Sequence, residues 1–112
     1  MKQKSRTAKA RYLQNLVKNR IIKLYPSLTK KDIRTSMTGE NSADIKLLTH
    51  TAKKLFPYSV ECKNRKDFKG LYRFFFQARN HSAYDPLLVV KMNREKPLAV
   101  IDLNHFFKLL QD

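Results

Sequence analysis

The sequence predicts an α/β fold, with a small mixed β-sheet of about four strands flanked by helices. The chain has 112 residues, a length that suits one hydrophobic core but not two independent ones. Apolar residues recur at helical spacing near both ends, while short alternating or β-branched runs lie between them. We therefore expect a single domain over residues 1–112, with a basic helical segment (1–31) preceding a core (32–112).

The amino-terminal segment is expected to be mainly one helix. Its first 31 residues hold ten Lys or Arg and no Asp or Glu. The helix, from about residue 7 to 25, is indicated by apolar residues at helical spacing, namely Leu13, Leu16, Val17, Ile21 and Leu24. Pro26 should end it. Thr29 followed by Asp32 resembles a capping box, which predicts a short second helix ending near Thr35.

The central region should contribute a loop and two strands. Residues 36–42 are rich in small polar residues and include Gly39, a composition typical of a loop. Residues 44–48 predict a strand and residues 49–56 a brief helix closed by Pro57, and the alternating residues 58–63 predict a second strand.

The carboxy-terminal region should add two helices and two buried strands. Apolar spacing predicts a helix over 67–80, and β-rich runs predict strands at 87–90 and 99–101. A terminal helix is expected over 106–110.

The charge of the chain points to a polyanionic partner. The formal net charge is +15, with a pI near 10.2. No run of about 18 apolar residues exists, and the basic helix is not rich in aromatic residues, so nucleic acid is favoured over a membrane surface. The simpler alternative is a solvated basic face.

Cysteine content and the amino terminus bear on location. Cys62 is the only cysteine, so neither an intramolecular disulfide nor a cysteine-rich zinc site can form. Residues 1–11 are polar and basic, unlike a secretory signal. We expect a cytoplasmic protein.

Three side chains are candidates for chemistry. Glu61 and Lys63 lie two apart in a predicted strand and should face the same way, with Cys62 facing the core. Asp44 lies 17 residues upstream, where a neighbouring strand could bring its carboxylate beside Glu61. Two carboxylates can hold a divalent cation that activates water, and an ammonium group can stabilise phosphorane charge. This set predicts phosphodiester hydrolysis with Mg²⁺ or Mn²⁺.

The order of these residues resembles the PD-(D/E)xK nucleases, the restriction-endonuclease-like superfamily. The resemblance lies in Ala43-Asp44-Ile45, Val60-Glu61-Cys62-Lys63-Asn64 and Gln77-Ala78. Over residues 32–110 the chain looks like small phage-type endonucleases and Holliday-junction resolvases, which implies branched or duplex DNA as substrate and a phage-encoded enzyme acting in the host cytoplasm. Ala43 stands where the family's motif has proline, so the literal Pro-Asp dipeptide is absent.

The resemblance also implies roles for individual residues. Asp44 and Glu61 would be metal ligands, Lys63 the catalytic lysine, and the backbone carbonyl of Val60 or Cys62 a further ligand. Gln77 would face the site from the following helix. Glu40 is a further candidate ligand, although a glutamate in a loop is more often simply solvated.

Seven cations near these residues are candidate phosphate contacts, namely Lys53, Lys54, Arg65, Lys66, Lys69, Arg73 and Arg79. They show no pattern for contacting bases. We therefore expect selectivity for DNA structure, with resolution of a four-way junction requiring a homodimer. A non-catalytic basic nucleic-acid-binding protein is the alternative function.

Several residues are expected to be structural. His50, His81 and His105 are widely spaced, which favours surface or capping positions, with His50 the least improbable exception. Cys62 should lie in the core. Of the run Phe74, Phe75 and Phe76, two members should pack inside and one should lie at an edge.

Overall fold

The computed structural model describes residues 2–37 and 39–109. That part contains four helices and five strands, which confirms the predicted α/β class. In chain order the elements are α1 (Lys2–Leu24), β1 (Ile33–Thr35), β2 (Ile45–Leu47), α2 (His50–Leu55), β3 (Tyr58–Asn64), α3 (Leu71–Asn80), β4 (Asp85–Lys91), β5 (Leu98–Val100) and α4 (Leu103–Leu109).

The strands form two small sheets rather than one. β1 and β2 pair antiparallel. The other sheet has the order β3-β4-β5, with β3 parallel to β4 and β4 antiparallel to β5. Helix α3 connects the two parallel strands. The sheets meet where the backbone N–H of Asp44, just before β2, donates to the carbonyl of Val60 in β3 at 2.9 Å.

Helices α1 and α3 cover opposite faces of the three-stranded sheet. Leu13, Val17 and Ile21 of α1 are buried in one core cluster with Val60, Cys62 and Val89. Phe74 of α3 is buried with Leu88 and Val90 in the other. Successive side chains alternate between the faces of a strand, so Glu61 and Lys63 lie on the α3 side while Cys62 lies on the α1 side.

The predicted second helix ending near Thr35 is wrong. Residues 30–32 form a turn, and Ile33 begins β1, opposite Leu47 of β2. The Asp32 carboxylate does accept the Thr29 N–H at 2.8 Å, as in a capping box, but it also accepts the Thr49 hydroxyl at 2.7 Å. Because Ile33 is buried against the core, tertiary packing prevails over the local helix signal.

The other predicted elements are confirmed with small shifts of their ends. The helix expected from residue 67 begins at Leu71, after Gly70 with a positive φ of 76°. The terminal helix begins earlier than expected, at Leu103, and the last residue of the prediction, Leu110, lies outside the described residues. Across the described residues, no helix combines the length and apolar character needed to cross a membrane.

Candidate active site

Strand β3 holds Glu61 and Lys63 side by side. The Nζ atom of Lys63 lies 3.4 Å from Oε2 of Glu61. Only 8% of the Glu61 side chain is exposed, compared with 21% of the Lys63 side chain. Val60 and Cys62 anchor the same strand in the α1 core. The alternation predicted from the sequence therefore presents an acid and an amine together on the α3 face.

Asp44 lies at the edge of β3 that does not pair with β4. Its Oδ2 accepts the backbone N–H of Cys62 at 2.8 Å, and its own N–H donates to the Val60 carbonyl at 2.9 Å. These two hydrogen bonds flank Glu61 along the strand. They hold the Asp44 carboxylate at the β3 backbone on either side of Glu61, and the charge of Asp44 acts on the Glu61 carboxylate.

Burial and mutual repulsion disfavour ionisation of the two carboxylates. Burial, and next the charge of Asp44, raise the pKa of Glu61 to about 7, although Lys63 opposes the shift. Burial also raises the pKa of Asp44, against the lowering effects of the Cys62 N–H, Lys63 and His81. A buried carboxylate and a half-buried one that repels it are stabilised by an added cation, so the pair is suited to bind one.

Two buried acceptors near this site lack partners. Oε1 of Glu61 and Oε1 of Gln77 have no hydrogen-bond partner among the described residues. Gln77 lies on α3 three residues after Phe74 and four before His81, so the three share one helical face. The Lys63 ammonium lies 5.2 Å from the Phe74 ring centroid, and the charge of His81 acts on Asp44. Gln77 therefore shares a helical face with two residues that interact with Lys63 and Asp44.

The donor set fits a Mg²⁺ ion held by few protein ligands. Over residues 2–37 and 39–109, no group of three or more His, Cys, Asp or Glu side chains is placed to hold a metal. Mg²⁺ is commonly bound through only one or two carboxylates, with waters and substrate phosphates completing its shell. Asp44 and Glu61, with its unpaired oxygen, meet that requirement.

The backbone of β3 indicates which carbonyl could assist. The Val60 carbonyl already accepts the Asp44 N–H. The Cys62 N–H faces Asp44, and the N–H and C=O of one strand residue point toward the same edge. The Cys62 carbonyl is therefore the better placed of the two for a cation at Asp44.

Glu40 is engaged in a separate ion-pair cluster. Its carboxylate lies 3.0 Å from Arg34 and 3.7 Å from Lys46, and it also accepts the Met37 N–H. Hydrogen bonding from Arg34, then from Met37, lowers the pKa of Glu40 to about 2. These contacts tie the loop to the β1–β2 hairpin, so the structure favours a structural role for Glu40 over the metal-ligand role considered from the sequence.

The seven candidate phosphate contacts are exposed cations, and two of them contact the same aromatic ring as Lys63. All seven are exposed: Lys53, Lys54, Arg65, Lys66, Lys69, Arg73 and Arg79. The guanidinium carbons of Arg65 and Arg73 lie 4.6 and 5.3 Å from the centroid of the Phe74 ring, which the Lys63 ammonium also contacts. Three cations are thus held around the ring that packs on Lys63.

The phenylalanine run packs as predicted. Phe74 is 2% exposed, Phe75 is half-buried, and Phe76 is 41% exposed at the helix edge. The Arg79 guanidinium carbon lies 4.6 Å from the Phe76 ring centroid.

The three histidines occupy different environments: a helix end, a contact between elements and the surface. His81 caps the carboxyl end of α3 and acts electrostatically on Asp44, a proximity that the sequence analysis missed. Its spacing of four residues from Gln77 was the available signal. His105 Nε2 lies 2.8 Å from the Tyr58 hydroxyl and Nδ1 lies 3.6 Å from Asp85 Oδ2, which joins α4 to β3 and β4. His50 is exposed at the start of α2.

The Cys62 thiol should be inert in the folded protein. Cys62 is 5% exposed, and burial, then the charges of Asp44 and Glu61, raise the pKa of its thiol well above the usual range. We expect iodoacetamide to modify native Cys62 at least about 100-fold more slowly than the urea-unfolded chain, as measured by mass spectrometry. Equal rates in the two states would contradict this burial.

Comparisons with known proteins do not assign a family. No family model, curated protein or solved structure matches the chain.

Proposed function

We propose that the chain is a metal-dependent DNA endonuclease that hydrolyses phosphodiester bonds. The observation that carries the proposal is the pair of repelling carboxylates, Asp44 and Glu61, held at one strand edge beside the Lys63 ammonium. Buried groups whose pKa values are shifted by burial and by a specific charged neighbour are typical of functional sites.

Each side chain has a distinct task in this proposal. Asp44, Glu61 and the Cys62 carbonyl would hold Mg²⁺, or Mn²⁺ in its place. When bound, the cation supplies Lewis-acid activation of the phosphate and of the attacking water. Lys63, already 3.4 Å from Glu61, stabilises the negative charge that develops on the phosphoryl oxygens. Gln77 offers a side-chain amide to orient the substrate or water.

The surface around the site supports DNA as the substrate. The chain carries a net charge of +15, and Arg65 and Arg73 contact the Phe74 ring that the Lys63 ammonium also contacts. The order Asp44, then a strand with Glu61 and Lys63, then a helix with Gln77 is the order that resembles the PD-(D/E)xK nucleases. By the same resemblance we propose structure-selective cutting of branched DNA by a homodimer.

A non-catalytic nucleic-acid-binding protein is the second candidate. The Lys63–Glu61 contact could be an ordinary ion pair, and within the described residues the acids at this site number only two. Such a protein would bind nucleic acid equally well with and without divalent metal.

Cleavage assays separate the two functions. Labelled four-way junction, flap, linear duplex and single-stranded DNA are incubated with Mg²⁺, Mn²⁺ or EDTA. We expect metal-dependent cutting, preferentially of branched DNA, and a loss of about 10²-fold or more in Lys63→Ala. Lys30→Ala, which removes an equal charge from an exposed turn, is the control. Tight binding with no cutting of any substrate would support the second candidate instead.

A further inference from the structure

A polar cavity lies beside the proposed site, on the opposite face of the sheet. Its volume is about 520 Å³, and its lining includes Lys9, Tyr12, Asn64, Lys91 and Arg94. It opens where the carboxyl ends of the parallel strands β3 and β4 meet α1, a location that often binds ligands in α/β folds. The Nδ2 of Asn64 donates to the Lys9 carbonyl at 3.0 Å, which closes the cavity against α1.

Three cations give the cavity a strong positive charge. Lys9, Lys91 and Arg94 are part of its lining, and the described lining residues include no acid. The Lys9 ammonium donates to Oδ1 of Asn93 at 2.8 Å, and Lys91 donates to the Met92 carbonyl at 3.3 Å. These partners are neutral, so they orient the ammonium groups without cancelling their charge. The cluster is suited to a phosphate group.

One acceptor at the cavity wall lacks a hydrogen-bond donor. Oδ1 of Asn64 has no partner among the described residues and is enclosed by protein atoms, so a ligand reaches it only after the Asn64 side chain turns toward the cavity. An ionised phosphodiester has no N–H or O–H that could donate to Asn64 Oδ1. Every nucleobase has at least one N–H, either on its ring or in its amino group. Tyr12 is 58% exposed at the rim and presents a ring on which a base can stack. The chemistry therefore fits a phosphate together with a base.

Arg94 is held in a conformation that costs backbone strain. Its φ is 66°, at the second central position of a turn closed by the Glu95 N–H donating to the Met92 carbonyl at 3.1 Å. Glycine or asparagine normally occupies such a position. Residues strained in this way cluster at active sites and ligand-binding segments.

We propose that this cavity binds one unpaired nucleotide of a DNA strand, with its phosphate on Lys9, Lys91 and Arg94 and its base against Tyr12 and Asn64. The volume lies within the range of about 300–1,000 Å³ typical of ligand sites. Thymine has a single N–H, at N3, which base pairing engages in a duplex, and stacking on Tyr12 requires a base that is out of its own stack, so the subsite selects unpaired nucleotides. The inference rests on the proposed DNA-cutting function and identifies an unpaired nucleotide as the feature of the DNA that the protein recognises. Asn64 directly follows Lys63, so one strand passing the sheet end can reach both sites.

Binding without metal tests the subsite separately from cleavage. A fluorescent 12-nucleotide oligo(dT) and a duplex of the same length are titrated in EDTA, with Arg94→Gly compared against Lys30→Gly. We expect Arg94→Gly to weaken oligo(dT) binding about tenfold. The slope of the logarithm of the binding constant against the logarithm of the salt concentration should fall in magnitude by about 0.7. Duplex affinity should change no more than in Lys30→Gly. The thermal midpoint of Arg94→Gly should not fall, because glycine relieves the positive φ.

Equal effects of the two variants on both ligands would overturn the subsite. Displacement of the oligonucleotide by dTMP at equal nucleotide concentration would also overturn it, since a free nucleotide would then be the ligand. Cleavage of branched DNA with no selective binding defect in Arg94→Gly rejects the subsite and leaves the nuclease standing. Selective binding loss in a chain that cuts nothing supports the subsite and rejects the nuclease.

Discussion

Glu61→Gln is expected to lower metal-dependent DNA cleavage by about 10³-fold or more, with little loss of DNA binding. The substitution preserves the size of the side chain and removes one of the two carboxylate charges beside Lys63. Cleavage of the preferred substrate is measured under single-turnover conditions, with binding measured in EDTA. Glu95→Gln makes the same chemical change at an exposed residue and should cut at the wild-type rate.

The same variant should be more stable than the wild type at pH 8. The folded pKa of Glu61, about 7, lies above its ordinary value of 4.5. The neutral form of Glu61 therefore contributes fully to the free energy of unfolding below pH 4.5. This contribution is lost as the pH rises through about 7. Glutamine is neutral at every pH, so the gain of Glu61→Gln should grow over this window to about 1–3 kcal/mol, from about 1.36 kcal/mol per pKa unit reduced by solvent screening.

Thermal unfolding at pH 5 and pH 8 checks this result. The thermal midpoint of Glu61→Gln relative to wild type should be higher at pH 8 than at pH 5. Added Mg²⁺ should raise the midpoint of the wild type but not that of the variant, because only the wild type offers the carboxylate pair. A variant less stable than wild type at pH 8 would show that the Lys63 ion pair outweighs burial and repulsion.

Leu13→Ala is expected to destabilise the fold by about 3 kcal/mol, within the range of about 2–5 kcal/mol for buried leucines. Leu13 is 0% exposed and packs in the cluster that anchors Val60 and Cys62 of β3. The loss combines the burial of apolar surface with the cavity that remains. Because α1 supports the strand that carries the site, this helix is part of the structural core as well as a basic segment.

Urea denaturation with Leu24→Ala as control tests the role of α1. Leu24 belongs to the same predicted apolar series, but it is 66% exposed, so its truncation should cost less than about 0.5 kcal/mol. Leu13→Ala should lower the urea concentration at the unfolding midpoint without changing the dependence of the free energy of unfolding on urea concentration. Equal effects of the two substitutions would mean that α1 does not pack as described.

The sequence by itself determined most of the elements and the centre of the candidate site. Helix and strand periods are local properties, so the positions of α1, α2, β3, β4 and α4 could be predicted within a few residues. The same local alternation predicted that Glu61 and Lys63 share a face and that Cys62 faces the core. Net charge is likewise independent of the fold.

Only the tertiary structure decided how distant segments meet. It placed Ile33 in a strand instead of a helix, engaged Glu40 with Arg34 and Lys46, and brought the charge of His81 to bear on Asp44. The nucleotide-sized cavity depends on Lys9 reaching Asn93, 84 residues away in sequence. Such contacts form between elements, and their geometry follows from how helices and sheets pack together, which no local sequence period encodes.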